Sequence, residues 1–228
     1  MSLFITSEGG LTMAGYILSI ILILVLMAAL LFIRKNAGSS GGRNGSGRRS
    51  ADTRRLTVCA MCVALAAVTS MIKVFELPLG GSVTLCSMLM IVLPGWIYGL
   101  SAGLLCGLVY GILQFVLGPY VLTLPQVLFD YVFAFMVMGL SGLFCRMKNG
   151  LIPAYIVAVI GRWIMATIAG LIWVSLGMTI VEGWSPVPYS MAYNGSYIGA
   201  EAAVTLVILM VPSVRRGLER IKAQALCS

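Results

Sequence analysis

Residues 126–144 read QVLFDYVFAFMVMGLSGLF, and the carboxylate of Asp130 is the single charge in this stretch. A helix of about 20 apolar residues is long enough to cross the hydrocarbon core of a bilayer. The stretch therefore predicts a membrane helix. A carboxylate at the centre of such a helix costs roughly 2.5–3.5 kcal/mol, so the presence of Asp130 needs an explanation.

The rest of the chain has the same apolar character. Of its 228 residues, 60% are hydrophobic and only 10% are charged, which indicates an integral membrane protein and excludes a soluble domain. The net charge of +8 does not indicate nucleic-acid binding, because the basic residues lie between apolar segments. Six more such segments cover residues 11–33, 56–72, 83–100, 102–117, 151–177 and 189–211.

These segments predict an all-α integral membrane protein with four parts. Residues 1–33 form an extra N-terminal transmembrane helix, because the apolar run is too long for a signal peptide and no basic residue precedes it. Residues 34–54 are rich in Gly, Ser and Arg and are predicted to be a flexible basic cytoplasmic linker. Residues 55–222 form a bundle of six membrane helices, and residues 223–228 form a cytoplasmic tail.

The basic residues predict the orientation, because short cytoplasmic loops carry an excess of lysine and arginine. With the N-terminus outside and the C-terminus in the cytoplasm, 13 of the 15 basic residues lie on the cytoplasmic side. The two exceptions are Lys73, in an outer loop, and Arg162, within a span. In this orientation Asp130 lies about one turn below the outer surface.

Aromatic and polar residues accompany Asp130 on the predicted outer side. Gly170 leaves room for a flat ring to approach the backbone, and Trp173 offers a face for stacking. Because aromatic rings attract cations and stack on planar groups, the cluster predicts a site for a flat or cationic ligand. The alternative is a belt of interfacial aromatics with a hydrated acid at a helix end.

Three stretches resemble one family of membrane proteins. They are ELPLGGSVTLCSM (residues 76–88), GILQFVLGPYVLTLPQVLFDY (111–131) and AYNGSY (192–197). They resemble the thiamine-specific substrate-binding component (S component) of energy-coupling-factor transporters, over residues 55–222. The resemblance implies a six-helix fold in a bacterial plasma membrane, high-affinity capture of thiamine at the outer face, and partnership with a membrane scaffold subunit and two ATPase subunits.

The resemblance also implies roles for individual residues. Asp130 and Tyr131 match an acid–tyrosine pair in the fourth helix, where the acid is often glutamate. The remaining matched positions of the binding site are Tyr120, Gly170, Trp173, Tyr189 and Asn194. Ala166 is a departure, because family members can carry a histidine there and this chain has no histidine. One stacking or hydrogen-bonding wall of the site is therefore missing.

Small residues on the first of the six helices predict where a partner would dock. Ala60 and Ala64 lie one turn apart, and small side chains allow close helix approach in lipid. Internal packing is the alternative for these two. The glycines at 103, 107 and 111, which repeat every four residues, are predicted to pack internally.

Two charges deep in the bundle are predicted to pair. Arg162 lies 11 residues into its span from one side and Glu201 lies 12 residues into its span from the other, so both fall near the membrane midplane. Unpaired, each charge would cost several kcal/mol. A structural ion pair is the resulting prediction.

The sequence predicts a transport subunit and not an enzyme. It lacks the G-x-x-x-x-G-K-[ST] phosphate loop, so it binds no cofactor itself, and the partner subunits would use the ATP. The alternatives are an S component for a thiamine precursor such as hydroxymethylpyrimidine, and an ion-coupled secondary transporter with a relay of Asp130, Arg162 and Glu201. The spacing of Cys59 and Cys62 resembles a metal or redox motif, but reduced cysteines are favoured because no second ligand pair is present.

Overall fold

The computed structural model describes residues 45–77, 80–118, 121, 124–175 and 184–226. These ranges form seven helices and one β-hairpin. The predicted N-terminal helix (1–33), residues 34–44 of the linker and Tyr120 lie outside the described residues. The regular helices are α1 (Gly45–Met71), α2 (Ser87–Tyr98), α3 (Leu100–Leu117), α5 (Leu151–Ser175), α6 (Pro186–Met210) and α7 (Pro212–Leu226).

The helix between α3 and α5 is composite. This element, α4, is α-helical over Leu124–Val127, π-helical over Leu128–Phe133, α-helical again over Ala134–Met136, and 3-10 helical over Val137–Phe144. Changes of helix type within one span rotate the side chains that follow. They therefore decide which residues of α4 face the centre of the bundle.

Four helices have the length and the hydropathy of a membrane span. They cover residues 52–71, 100–117, 125–144 and 151–173, and a fifth is added if α6 and α7, which meet at 86°, are taken together. Helix α2 is apolar but has 12 residues, about 18 Å, which is short of a bilayer core of about 30 Å. A multi-pass membrane protein is confirmed, and the count of six full spans stays a prediction.

Both ends of the six-helix region differ from the sequence-based boundaries. Helix α1 begins at Gly45, so residues 45–54 continue the first span as helix where a flexible linker was predicted. Helix α7 extends to Leu226, so most of the predicted tail is also helical. Helix propagation from an established span adds about one hydrogen bond per residue, which explains why alanine and arginine extend α1 outward.

A β-hairpin replaces the start of the predicted second span, so the all-α prediction is wrong at this point. Strand β1 (Lys73–Glu76) pairs antiparallel with β2 (Ser82–Thr84). Gly80 in the connection has φ +91°, a conformation that favours glycine. Val74, Val83 and Thr84 are β-branched and suit strands.

Helices α3 and α4 touch backbone to backbone through glycines. A Cβ added to Gly103 would lie 2.7 Å from the carbonyl oxygen of Gly139, and one added to Gly107 or Gly111 would overlap the carbonyl oxygens of Phe135 and Tyr131. The prediction that these glycines pack internally is confirmed. Because the contact at Gly111 is with Tyr131 itself, this packing places the acid–tyrosine pair of α4.

Candidate functional site

Asp130 lies in the π-helical turn of α4 and is partly buried. Its Oδ2 accepts a hydrogen bond of 3.2 Å from Nε2 of Gln126, which is fully buried. π-Helical turns are rare and occur frequently at functional sites. The acid that the sequence singled out thus coincides with the local irregularity of its helix.

Arg162 brings a positive charge from α5 to the same region. Helix α5 packs against the π-helical turn of α4 that carries Asp130. The guanidinium carbon of Arg162 lies 4.7 Å from the centroid of the Phe135 ring on α4, which is a cation–π contact. Arg162 therefore contacts α4, the helix that carries Asp130, and among the sequence-based hypotheses only the ion-coupled alternative had grouped these two residues.

The predicted ion pair between Arg162 and Glu201 is wrong. Within the described ranges the salt bridges are Lys73–Glu76 and Arg215–Glu219. Glu201 is only 3% exposed and is occupied by other donors. Those donors belong to the β2–α2 junction and are Thr84 N (3.3 Å), Thr84 Oγ1 (2.7 Å), Ser87 Oγ (3.1 Å) and Met88 N (3.1 Å).

Glu201 acts as a cap for α2 that is supplied by another helix. The residue preceding α2, Cys86, has a left-handed conformation and makes no side-chain capping bond. The first N–H groups of a helix need acceptors and carry a partial positive charge, which a carboxylate satisfies. Backbone donors at this helix end thus replaced the predicted arginine as the partner of Glu201.

Three tyrosines line one side of α6 at intervals of four residues. Tyr189 and Tyr193 are nearly parallel, with ring centroids 6.3 Å apart at 20°, and Tyr193 meets Tyr197 edge-on at 5.9 Å. Helix α6 packs against α5, the helix of Arg162, with Ser190 and Asn194 over Gly170. The tyrosine stripe is therefore a candidate aromatic wall for the site.

Sequence reasoning missed Tyr197, and its ion-pair prediction gave Arg162 the wrong partner. The signal for Tyr197 was present in YSMAYNGSY, residues 189–197, where tyrosines recur every four residues on one helix face. No residue pattern around Arg162 in the sequence indicated that its guanidinium would contact Phe135.

The β-hairpin packs against the tyrosine stripe of α6. The N–H of Gly81 donates a hydrogen bond of 2.9 Å to the hydroxyl of Tyr193. A Cβ at Gly81 would lie 2.7 Å from Cδ1 of Tyr197. Position 81 therefore accepts glycine alone without movement of the wall, and the hairpin covers this side of the site.

Gly170 was predicted to leave room for a flat ring, but side chains of α6 fill the space next to its Cα. A Cβ at this position would overlap Oγ of Ser190 and lie 3.1 Å from Nδ2 of Asn194. Asn194 is 8% exposed, and its amide donates to the carbonyl oxygen of Ser190 at 3.0 Å. Its Oδ1 accepts from the hydroxyl of Tyr197 at 2.8 Å. In this structure Gly170 allows α5 and α6 to approach, and Asn194 orients Tyr197.

Two other predicted site residues lie on the helices that carry the site. Tyr131 is partly buried, packs edge-on against Phe115 at 5.3 Å, and donates a hydrogen bond of 3.0 Å to the carbonyl oxygen of Gly118. Trp173 is partly buried near the end of α5. The structure thus places Asp130, Arg162 and the tyrosines on three successively packed helices, α4, α5 and α6, and it leaves Glu201 in a separate contact.

Ala60 and Ala64 lie on an uncovered apolar face of α1. Both are exposed, and so are the neighbouring side chains of Met61 (58%), Leu65 (48%) and Val68 (57%). Internal packing is therefore excluded for the two alanines within the described part of the chain. Among the described residues, this face is open to a partner helix or to lipid tails.

The cysteines form no disulfide within the part of the chain that the structure describes, where five are free. The same residues contain no group of three or more His, Cys, Asp or Glu side chains placed to hold a metal ion. The Cys59 and Cys62 spacing therefore carries no metal site there.

Comparison with known proteins agrees with this geometry. A family model described as "Thiamine transporter protein" matches residues 56–218. The chain belongs to this thiamine transporter family. The match covers α2 to α6 and most of α1, including every described residue of the site, and it confirms the family resemblance found in the motifs.

One relative supports the assignment, and one solved structure shows the same fold. The thiamine transporter ThiT of Bacillus subtilis (strain 168) is 30% identical over 171 residues, which cover 68% of this chain and 88% of that protein. The solved structure of ThiT from Listeria monocytogenes shares the fold, with a TM-score of 0.55 and 22% identity over 70% of this chain and 96% of that chain. Both relatives are bacterial, and the family is one of transporters and not of enzymes.

Proposed function

We propose that this chain captures thiamine with high affinity between α4, α5 and α6, and that it works as the S component of an energy-coupling-factor transporter. The site would face outward, with the C-terminus in the cytoplasm. The observation that supports this most is a partly buried acid on α4 and a row of tyrosines on α6, both on helices that pack against α5, in a chain that belongs to the thiamine transporter family. The scaffold and the two ATPases would be separate partners.

Thiamine has the chemistry that this site can recognise. It joins a permanently cationic thiazolium ring to a flat aminopyrimidine that carries an exocyclic amine. An ionised carboxylate has about four lone-pair positions, so Asp130 can accept from Gln126 and from a ligand donor together. The tyrosine faces can stack on either ring and attract the cation.

The hydrogen bond from Gln126 and the positive charge of Arg162 on the adjacent helix would lower the cost of the acid when no ligand is bound. A buried carboxylate without compensation is expensive, and a nearby positive charge reduces that cost. Because Arg162 faces the ring of Phe135 without a salt bridge to Asp130, the carboxylate is not locked by a bidentate partner. It can therefore take part in ligand binding.

Titration of the purified protein with thiamine tests the proposal. We expect saturable binding without ATP or partner subunits, detected as a change in tryptophan fluorescence, because Trp173 lies near the end of α5 and Trp184 lies two residues before α6. Hydroxymethylpyrimidine and the thiazole alcohol are titrated in parallel. Binding of the pyrimidine as tightly as thiamine would favour the precursor, and no binding up to millimolar thiamine would refute the substrate.

Asp130→Asn removes the charge with little change in volume. Hydrogen bonds to charged groups contribute about 1.5–3 kcal/mol, so the dissociation constant for thiamine should rise by about 10- to 150-fold. Asp52→Asn is the matched control, because Asp52 is an exposed acid on α1 far along the chain from the site. An unchanged dissociation constant in Asp130→Asn would mean that the acid is a hydrated helix end.

The exposed face of α1 supports docking to a partner subunit. It combines two alanines with large apolar neighbours on a helix that is long enough to span a membrane. Small residues let another helix approach closely in lipid, where burial of apolar surface adds little. Because the sequence has no phosphate loop, ATP hydrolysis would come from the partners.

Ala64→Trp should leave thiamine binding unchanged and abolish uptake in cells that contain the scaffold and ATPases, because the indole would keep the partner helix away. Ala203→Trp is the matched control, since Ala203 is an exposed alanine on α6. Uptake that persists in Ala64→Trp would place docking on another face. Uptake in cells without the scaffold and ATPases would instead support the ion-coupled alternative.

A further inference from the structure

A concave groove lies at the other end of α4 from Asp130. The groove has a volume of about 380 Å³ and is lined by residues of α7, by Trp96 at the end of α2, and by the loop that follows α4. Asp130 and Phe144 are 14 residues apart on α4, which corresponds to roughly 20 Å along the helix. The groove is therefore separate from the proposed thiamine site.

The groove carries a positive charge. Arg146, Lys148 and Lys222 line it together with one acid, Glu219. Glu219 already faces Arg215, with Arg215 Nε 3.8 Å from its Oε1. Arg146 and Lys148 are exposed, so their charged groups can move toward a ligand.

Lys222 is held in place within the groove. Its Nζ donates a hydrogen bond of 2.6 Å to the carbonyl oxygen of Cys145 and lies 4.2 Å from the ring centroid of Trp96. An ammonium fixed between a carbonyl and an aromatic face keeps further donor capacity for an anion. The groove thus has one basic side chain held in place, Lys222, and two exposed ones that can move, Arg146 and Lys148.

Helix α7 places this groove at the membrane surface. It leaves α6 at 86°, and its apolar residues Val214, Leu218 and Ala225 pack against the core of the bundle. A helix perpendicular to a spanning helix lies along the plane of the membrane. Basic amphipathic helices in this position are typical of the lipid headgroup region.

We propose that this groove binds the phosphate headgroup of an anionic phospholipid from the leaflet on the side of α7. Arginine and lysine are the usual ligands of phosphate oxygens, and basic pockets at the cytoplasmic surface bind anionic headgroups. A free phosphate has the same charge chemistry. The lipid is preferred because Met147, which also lines the groove, exposes 56% of its surface and gives an acyl chain an apolar contact.

Native mass spectrometry of the full chain in detergent tests the proposal. The protein is titrated with phosphatidylglycerol and phosphatidylcholine of identical acyl chains, and the apparent dissociation constants are compared. We expect phosphatidylglycerol to bind more tightly. The double variant Arg146→Gln with Lys148→Gln should weaken its binding by about 10- to 30-fold, since each basic residue near an anionic surface contributes several-fold.

The matched control is Arg216→Gln with Arg220→Gln. Both arginines are exposed on α7, do not line the groove, and change the net charge by the same amount. The control should keep the preference for phosphatidylglycerol. Thermal unfolding and thiamine titration of each variant verify the fold.

Four outcomes would overturn the proposal. Equal losses in the groove variant and the control would indicate diffuse attraction to charge. An unchanged preference in the groove variant would exclude the groove as the site. Displacement of the lipid by millimolar inorganic phosphate would indicate a free anion site. Loss of uptake by the groove variant with unchanged lipid binding would indicate a protein partner at this surface.

Discussion

Gly107→Ala should destabilise the protein by about 3 kcal/mol or more, the upper range for overpacking a closely packed contact. An added Cβ would overlap the carbonyl oxygen of Phe135 and lie 3.0 Å from Cα of Met136. Both atoms belong to the backbone of α4, so no side chain can rotate away. Helices α3 and α4 would have to separate, and the glycine contacts on either side of position 107 would be lost with it.

Gly199→Ala is the matched control for this substitution. Gly199 lies inside α6, is exposed, and has no atom within 4 Å of an added Cβ. Alanine is favoured over glycine in a helix by about 0.5–1 kcal/mol, so this variant should be slightly more stable. The measurement is the thermal unfolding temperature of both variants in the same detergent. Equal unfolding temperatures would show that the α3–α4 contact is looser than the structure indicates.

The substitution at 107 should also affect thiamine binding. Phe135 lies one helical turn beyond Asp130 and Tyr131 on α4, and Tyr131 contacts the neighbouring glycine of α3. A shift of α4 therefore moves the acid. We expect weaker binding from Gly107→Ala even under conditions where the protein remains folded.

Glu201→Leu should cost about 3–5 kcal/mol, because it removes the acceptor of two backbone N–H groups and two hydroxyls at the β2–α2 junction. Each buried donor left without a partner costs about 1–3 kcal/mol, and the hydroxyls can turn to other acceptors while the N–H groups cannot. Glu201→Gln keeps one oxygen as an acceptor, so its loss should be about half as large.

Glu219→Gln is the control for the change from glutamate to glutamine. Glu219 makes a partly exposed salt bridge with Arg215, whose removal should cost at most about 1 kcal/mol. Unfolding temperatures again provide the measurement. A loss for Glu201→Gln that is no larger than for Glu219→Gln would contradict the capping role. Because Thr84 belongs to the hairpin that contacts Tyr193, Glu201→Leu should also weaken thiamine binding.

The sequence by itself determined the membrane character, four of the spans and the family. Apolar length and composition are local properties, and a bilayer selects helices through them. The internal packing of the α3 glycines could also be predicted, because a repeat of four residues places small side chains on one helix face whatever the partner is. Asp130 was recognisable from the sequence because it is the single charge in an apolar segment.

The tertiary structure alone decided which side chains meet. Depth along a helix can be counted from sequence, and it correctly warned that Arg162 and Glu201 need partners. Depth does not give the direction in which a side chain points. The π-helical turn of α4 and the hairpin before α2 change that direction for the residues around them. Arg162 therefore contacts the ring of Phe135, and Glu201 accepts hydrogen bonds at the start of α2. Carboxylates and arginines satisfy their charge with the nearest donors or aromatic faces, and only the packed bundle determines which those are.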